Sequence, residues 1–148
     1  MMRMIRIRKA KRTDIHSIMT IEKIFQDDQW NLQQMESELL NPYSNYLIAE
    51  IDDNLVGYCG VLCLYEQGDI QTIAVDPAFR HQGIGTLLLQ AQVNYCIENK
   101  ICELFLEVDI ENSHAIELYK KLGFHVMSKR KSYYANGHDA YVMKKELL

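Results

Sequence analysis

Residues 80–86 are the segment of this sequence whose residue types and spacing best suit a chemical task. Gly83 and Gly85 lie close together, directly before an apolar stretch with helical spacing. The first amide groups of a helix have no acceptor within the helix, and the helix dipole places partial positive charge there. Glycine lets a ligand approach the backbone closely, and Arg80 adds a formal positive charge. The segment therefore predicts an anion site suited to a phosphate or a pyrophosphate.

Two common nucleotide-binding motifs are excluded at this loop. The Walker pattern GxxxxGK, followed by Ser or Thr, is absent. The dinucleotide fingerprint needs a third glycine at position 88, where Leu88 stands. A glycine-rich turn that begins a helix without binding any ligand remains the alternative interpretation of these residues.

The elements that must position this loop are predicted from the hydrophobic pattern. Alternating or turn-bounded apolar runs predict strands at residues 4–8, 46–51, 55–65, 70–75, 102–108, 124–133 and 140–143. Helical spacing predicts helices at about residues 15–25, 32–40, 84–99 and 113–122. The order β-α-α-β-β-β-α-β-α-β-β indicates a mixed α/β (α+β) layer and a single domain over residues 1–148.

Short polar residues and glycines predict where these elements begin and end. The candidate N-caps of three helices are Thr13 or Asp14, Asn31 and Asn112. Turns are predicted at residues 52–54, at residues 67–68 and at the Asn136-Gly137 pair, which is a hairpin signal.

Composition fits one globular domain and disfavours several functional classes. The chain has 148 residues, of which 48% are hydrophobic and 24% are charged. A net charge of −4 argues against sequence-independent binding of nucleic acid, which depends on Lys and Arg. Lys and Arg do cluster in residues 3–12, where solvated charges are the simple interpretation and a phosphate or RNA contact is the alternative. We expect neither a membrane span nor a signal peptide.

The four cysteines and the histidines do not predict a metal site. No cysteine pair has the CxxC spacing of a zinc or redox motif. Cys59 and Cys63 lie four apart in a predicted strand, so we expect them on one face, and we expect all four cysteines to be small buried hydrophobes. His114 and His125 have no partner at metal-ligand spacing. These residues indicate a reducing, cytoplasmic protein without a metal.

Two motifs resemble the signatures of the GNAT acetyltransferase superfamily. The residues Arg80-His81-Gln82-Gly83-Ile84-Gly85 match the motif R/Q-x-x-G-x-G/A. Residues 112–124, NSHAIELYKKLGF, are similar to N-x-x-A-x-x-L-Y-x-x-x-G-F. The predicted order of elements also matches, so the resemblance covers nearly the whole chain. It implies an acetyl-CoA-dependent N-acetyltransferase with a GNAT fold, in which about four helices flank a mixed sheet of about seven strands.

Within the superfamily, the chain most resembles the RimI-type enzymes, which acetylate the N-terminal alanine of a small-subunit ribosomal protein. The similar residues are TIAVDP at 72–77, LEV at 106–108, SYY at 132–134 and DA at 139–140. Two positions depart from the pattern. Gln29 stands where many such enzymes have proline before the tryptophan equivalent to Trp30, and Asp109 stands where many have arginine. Both positions fall near the acceptor side.

The resemblance also implies which residues bind acetyl-CoA. The backbone of Ile73 and Val75, with Ala74 between them, would hydrogen-bond the pantetheine arm like an added strand. Asn112 would contact the cofactor near its pantetheine portion. The pyrophosphate would lie on the backbone amides of the loop and the first helical turn, at Arg80, His81, Gln82, Gly83, Ile84, Gly85 and Thr86.

Glu107 and Tyr119 are the candidate catalytic pair by the same resemblance. Glu107 would remove a proton from the amine, directly or through water. It lies in an otherwise apolar strand, alternating to one face with Phe105, and such surroundings would raise the pKa of its carboxyl. A solvent-facing glutamate, or one paired with an arginine, is the alternative. Tyr119 would protonate or hydrogen-bond the departing thiolate, and a core tyrosine is its alternative.

Acceptor binding is expected at four aromatic or acidic residues. Glu22 and Trp30 could shape the amine pocket, whereas Tyr133 and Tyr134 could line a peptide groove or pack in the sheet. A second hypothesis is a GNAT enzyme that acetylates a small amine, such as a polyamine, an aminoglycoside or an amino acid. A third is an acyl-CoA-binding sensor without turnover. In each case we expect a monomer or weak homodimer that contacts neither nucleic acid nor membrane.

Overall fold

The computed structural model describes residues 4–25 and 31–148. These ranges contain seven strands and four α-helices in the predicted order. The strands are β1 (Ile5–Lys9), β2 (Ser44–Ile51), β3 (Asn54–Leu64), β4 (Gln67–Val75), β5 (Glu103–Asp109), β6 (His125–Arg130) and β7 (Ala140–Glu146). The helices are α1 (Ile15–Glu22), α2 (Leu32–Leu40), α3 (Ile84–Glu98) and α4 (Ser113–Lys121). Short 3-10 turns precede α1 and α3.

The strands form one sheet in the order β1-β2-β3-β4-β5-β7-β6. Neighbouring strands are antiparallel except β4 and β5, which run parallel. Helices α3 and α4 pack on one face of the sheet, and α1 and α2 pack on the other. The predicted mixed sheet of seven strands with four helices is confirmed.

Each face of the sheet has its own apolar core, because β2 and β3 are buried on both faces. On the α3 face, Leu89 and Val93 pack against Leu106. On the α1 face, Ile18 and Met35 lie in one core and are fully buried. Burying one such side chain contributes roughly 1.5–3 kcal/mol, so the two cores fix the helices on the sheet.

The turn predicted at residues 67–68 is wrong. The chain reverses instead at Tyr65 and Glu66, where Tyr65 has a φ of 58°, and Gly68 pairs with Cys63 inside the β3–β4 ladder. A Cβ atom on Gly68 would come within 3.0 Å of the Leu104 side chain. Glycine is therefore needed here for close packing, which a sequence pattern cannot distinguish from a turn signal.

The strand predicted over residues 124–133 ends early, at Arg130. Residues 131–139 form a loop between β6 and β7, which we call the β6–β7 loop. The predicted turn at Asn136-Gly137 lies inside this loop. There the Gly137 amide donates to the Tyr134 carbonyl at 2.9 Å, and Gly137 has a φ of 85°. The turn signal was correct, but the connection is longer than a two-residue hairpin.

The predicted caps Asn31 and Asn112 both accept a hydrogen bond from a backbone amide of the helix that follows. Asp14 occupies the cap position of α1 but does not cap it with its side chain. Its carboxylate pairs with Arg8 at 2.9 Å, and Arg8 also pairs with Glu50 on β2. Part of the basic N-terminal cluster is thus neutralised within the fold.

The four cysteines are free thiols. Cys59 and Cys96 are buried, but Cys63 and Cys102 are partly exposed, so the expectation of four buried cysteines is wrong for two of them. Cys59 and Cys63 both pack toward α3, on one face of the sheet as predicted.

Candidate active site

The two parallel strands β4 and β5 pair over a short stretch only and then diverge, which opens a gap in the sheet. Only residues 67–69 of β4 pair with residues 103–105 of β5, although β4 continues to Val75 and β5 to Asp109. The register against β3 leaves Gln71 as an extra residue in β4, and a bulge of this kind bends a strand. Among the described strands, none pairs with the β5-facing edge of β4 beyond Asp69. Backbone groups on this edge remain available to a ligand.

A cavity of about 820 Å³ lies beside this unpaired edge. It is lined by β4, by the loop before α3, by the first turn of α3 and by α4. All but one of the predicted cofactor residues line it, and these are Ile73, Ala74, Val75, Arg80, His81, Gly83, Ile84, Gly85, Thr86 and Asn112. Gln82 is exposed and does not line the cavity.

Gly83 begins α3 in a conformation that favours glycine. It has a φ of 76° and lies in the left-handed region, and no side chain caps the helix. A Cβ atom on Gly83 would meet nothing within 4 Å, so backbone conformation rather than space selects glycine there. The first turn of α3 contains no acidic residue, and Arg80 forms no ion pair with any described residue. The uncapped amides and the arginine make this end of the cavity suited to an anion.

Helix α4 contributes a stripe of side chains that the sequence patterns did not single out for binding. His114, Leu118 and Lys121 all line the cavity. Their spacing of four and three residues places them on one helix face, and this periodicity was the available signal. The His114 ring lies edge-on to the His81 ring, with centroids 6.2 Å apart. His114 is an exposed residue at the cavity rim.

Tyr119 lies in the cavity wall and is buried, with 7% of its surface exposed. Its ring packs edge-on against Phe124, with centroids 6.1 Å apart. Burial raises the pKa of the Tyr119 phenol above its ordinary value of 10. The phenol therefore remains protonated over the physiological range and can act as a hydrogen-bond donor toward the cavity.

Glu107 lies on the opposite face of β5 from Leu106 and Val108, as the alternation predicts. Its expected apolar surroundings are wrong, because Glu107 is exposed. One carboxylate oxygen accepts a hydrogen bond from the Tyr133 hydroxyl at 2.5 Å, and the other lies 3.5 Å from Nε of Arg130. The structure therefore has the arginine pairing that was the alternative for this residue. Glu107 is absent from the cavity wall.

Asp69 is a half-buried carboxylate that sequence reasoning missed. It occupies the last paired position of β4, opposite Phe105, and alternation in β5 places Phe105 and Glu107 on the same face. Burial raises the pKa of the Asp69 carboxyl, and the negative charge of Glu107 raises it further. Two carboxylates thus lie near the point where β4 and β5 separate, which favours a cation on this face.

The predicted acceptor residues lie on the α1 face and in the β6–β7 loop. Glu22 is buried and accepts a hydrogen bond from the Tyr58 hydroxyl at 2.6 Å. Tyr133 and Tyr134 pack edge-on, with centroids 5.0 Å apart, in the loop and not in the sheet, so their alternative of sheet packing is wrong. Trp30 lies outside the described residues.

Within residues 4–25 and 31–148, no group of three His, Cys, Asp or Glu side chains could hold a metal ion. No helix in the same ranges is both long and apolar enough to cross a membrane.

Comparison with known proteins places the chain in a family. Residues 12–124 match the Acetyltransferase (GNAT) family. A Bacillus subtilis (strain 168) relative is 37% identical over 139 residues, covering 93% of this chain and 92% of that one, and its name provisionally gives it as a ribosomal protein bS18-alanine N-acetyltransferase. The Mycobacterium tuberculosis N-alpha-acetyltransferase RimI is 34% identical over 125 residues, covering 81% of this chain and 77% of its own.

A solved structure has the same architecture. The ribosomal-protein-S18-alanine N-acetyltransferase of Escherichia coli superposes with a TM-score of 0.89 at 25% identity, covering 97% of this chain and 94% of that one. The chain belongs to the GNAT acetyltransferase family, which uses acetyl-CoA. The predicted GNAT fold, N-acetyltransferase activity and RimI-like relationship are confirmed.

Proposed function

We propose that this member of the GNAT acetyltransferase family transfers an acetyl group from acetyl-CoA to the N-terminal α-amino group of a protein, as RimI-type enzymes do. The observation that carries the proposal is the cavity between β4 and α4, which has an uncapped helix start at one end and Tyr119 in its wall. Relatives named for ribosomal-protein and N-alpha acetylation, which align over most of the chain, support the choice of acceptor.

The residues around the cavity fit acetyl-CoA. The amides that begin α3, together with Arg80, suit its pyrophosphate because they are uncapped and carry no nearby acidic side chain. The unpaired edge of β4 at Ile73 and Val75 suits the amide groups of the pantetheine arm, which can hydrogen-bond as an added strand does. Asn112, directly before α4, lines the same cavity, and we assign it to contact the cofactor near its pantetheine portion.

Acetyl-CoA supplies a thioester, whose acetyl group passes to the amine while the sulfur leaves as the thiol of coenzyme A. The protein must remove a proton from the ammonium group and must stabilise the departing sulfur. Glu107 accepts the proton in our proposal. Because its carboxylate lies outside the cavity wall, the proton reaches it through water. The bonds from Tyr133 and Arg130 hold the carboxylate in one orientation.

Tyr119 stabilises the departing sulfur. An unperturbed phenol has a pKa of about 10 and a thiol about 8.5, so complete proton transfer from phenol to thiolate is uphill. Burial raises the pKa of Tyr119 further. We therefore assign Tyr119 to hydrogen-bond donation toward the developing thiolate, rather than to complete proton transfer before the bond breaks.

The acceptor approaches from the face that carries Glu107. Asp69 and Glu107 give this face negative charge, which suits an ammonium group. Tyr133 and Tyr134, on the β6–β7 loop, border the approach to Glu107 and can contact the first residues of a peptide. A reducing, cytoplasmic setting fits the four free cysteines.

Steady-state release of coenzyme A tests this proposal. The assay supplies acetyl-CoA with one acceptor at a time, drawn from basic peptides that begin with alanine, from polyamines and from free amino acids. We expect turnover with the peptides alone. Turnover with a small amine and not with the peptides would overturn the acceptor and leave the chemistry in place. Tight acetyl-CoA binding with no turnover on any acceptor would favour a sensor without catalysis.

A further inference from the structure

Side-chain contacts attach both ends of the β6–β7 loop to β5. At one end, the Tyr133 hydroxyl donates to Glu107. At the other end, Nδ1 of His138 lies 2.8 Å from Oδ2 of Asp109, the last residue of β5. The Ile110 amide, directly after β5, also donates to the Asp139 carbonyl at 3.1 Å, and within the loop the Ser132 amide donates to the Asp139 side chain at 2.8 Å.

Asp109 connects the end of β5 to the turn before α4 and to the β6–β7 loop. Its other carboxylate oxygen accepts a hydrogen bond from the Glu111 amide at 2.9 Å, and its carbonyl accepts one from the Asn112 amide at 2.9 Å. The same residue therefore orders the turn into α4 and holds the loop through His138. It lies two positions beyond Glu107 on β5, so the two carboxylates share one face of that strand and both contact the β6–β7 loop.

His138 is held inside the turn of the loop that follows Tyr134. Its backbone amide donates to the Asn136 side chain at 2.8 Å, and its carbonyl accepts from the Tyr134 amide at 3.2 Å. Moving the His138 ring would therefore shift the backbone of Tyr134, and with it the neighbouring Tyr133.

We propose that Asp109 and His138 form a clip that positions the β6–β7 loop beside Glu107 and so determines how tightly the acceptor binds. Both are positioning residues, because neither lines the cavity. The inference rests on the proposed function, since it concerns the acceptor groove of that site.

The clip should depend on pH. The groups that act on His138 are Asp109 at the end of β5, Glu111 in the turn before α4 and Asp139 within the loop, and all three are acidic. They raise the pKa of His138 above its ordinary value of 6.5, with the hydrogen bond to Asp109 as the main cause. The charged pair therefore forms above the Asp109 pKa, which lies below its ordinary value of 3.8, and is lost as the pH rises through the raised pKa of His138.

Three variants of the full chain test the clip. Asp109→Asn keeps an acceptor for the Glu111 amide but removes the charge, and His138→Gln removes the titrating ring. We expect each to raise the acceptor KM by about two- to fivefold at pH 6, the range typical of an exposed ion pair, with kcat and the acetyl-CoA KM unchanged. His138→Lys retains a cation across this range, so its acceptor KM should match the wild-type value at pH 6 and fall below it at pH 8, where the wild-type pair is lost. His125→Gln, on β6 and away from Asp109, is the matched control.

The readout is the ratio of variant to wild-type acceptor KM across pH, because the α-amino group of every acceptor loses its proton with a pKa of about 7.7–8.0. A merely structural role would lower thermal stability or change both KM values without changing this pH dependence. An acceptor KM in His138→Gln that equals the wild-type value at every pH would overturn the clip.

Nuclear magnetic resonance separates failure of the clip from failure of the proposed function. The His138 imidazole resonances, assigned with His138→Gln, report its titration without any acceptor. We expect the Tyr134 amide to shift with that titration, and the His138 pKa to fall in Asp109→Asn. A Tyr134 amide chemical shift that stays constant while His138 titrates would refute the clip, even if the peptides are acetylated. Conversely, a titrating loop in a protein that acetylates only small amines would refute the acceptor alone.

Discussion

At the scale of single residues, the surroundings of Glu107 determine what it can do. The carboxylate is exposed, bonded to Tyr133 and Arg130, and set apart from the cavity wall. In our proposal its role as the base therefore depends on these two partners, which fix the orientation of the carboxylate, and not on burial. Because Glu107 does not line the cavity, we expect its substitution to change kcat without changing acetyl-CoA binding.

We predict that Glu107→Gln lowers kcat by about 10²–10⁴, the range found for general bases, because the amide cannot accept the proton. The KM for acetyl-CoA should stay unchanged, since Glu107 does not line the cavity. Steady-state kinetics with the active acceptor measures both values. Glu103→Gln is the matched control, because Glu103 lies on the same strand but pairs with Lys144. Equal activity in Glu107→Gln and wild type would exclude Glu107 as the base.

Tyr119→Phe should lower kcat by about 10- to 100-fold, because a hydrogen bond to a charged group contributes about 1.5–3 kcal/mol. The ring stays in place against Phe124, so we expect the melting temperature to remain near that of the wild type. Single-turnover rates at saturating acetyl-CoA give the cleanest comparison. An unchanged rate would mean that Tyr119 serves only to pack the cavity wall.

At the scale of helices and strands, the hydrophobic pattern predicted the order of all eleven elements, since most of them bury at least one face, although β6 is exposed along its whole length. It could not predict why Gly68 lies within a strand, because that reason is the Leu104 side chain, brought there by β5. The anion loop and Asn112 were found because local motifs carry them. The partners of Glu107 were not, since Arg130 and Tyr133 reach it only after β6 and β7 have paired with β5.

Gly60 and Gly83 are needed for different reasons: Gly60 because a neighbouring side chain leaves no room for a Cβ atom, and Gly83 because of its left-handed backbone. A Cβ atom on Gly60 would lie 2.2 Å from Cζ of Tyr46, so Gly60→Ala should destabilise the protein by more than about 3 kcal/mol. Gly83→Ala meets no atom and should cost only about 1–2 kcal/mol, through its left-handed backbone. Urea unfolding of both variants gives the comparison. Similar losses would show that packing around Gly60 relaxes easily.

At the scale of the whole molecule, Arg8 connects β1 to β2 and to the start of α1. Its guanidinium contacts Asp14 and Glu50 at 2.9 Å each, in a partly buried position. Hydrogen bonds from Arg8 lower the pKa of Asp14 below its ordinary value of 3.8. The ionised carboxylate thus stabilises the fold above the unfolded pKa, and this contribution is lost as the pH falls through the folded pKa.

We predict that Asp14→Asn lowers the free energy of unfolding by about 1 kcal/mol at pH 7, as expected for a well-formed ion pair near the surface. The difference from wild type should begin to shrink below about pH 4, where the carboxyl of the unfolded chain takes up a proton, and should be lost once the pH falls below the lowered pKa of the folded protein. Urea unfolding at a series of pH values measures it. A difference that is constant across that series would assign the stabilisation to packing rather than charge.

The short parallel contact between β4 and β5 also bears on the order in which the chain assembles. Strands β2, β3 and β4 pair with their neighbours in sequence across tight turns, and such local contacts form early. Joining β5 requires the chain to cross the sheet through α3 and then to close only three residue pairs. We therefore expect β2, β3 and β4 to pair with one another before β5 joins them. The half of the molecule that carries Glu107 and its loop would be the last to dock.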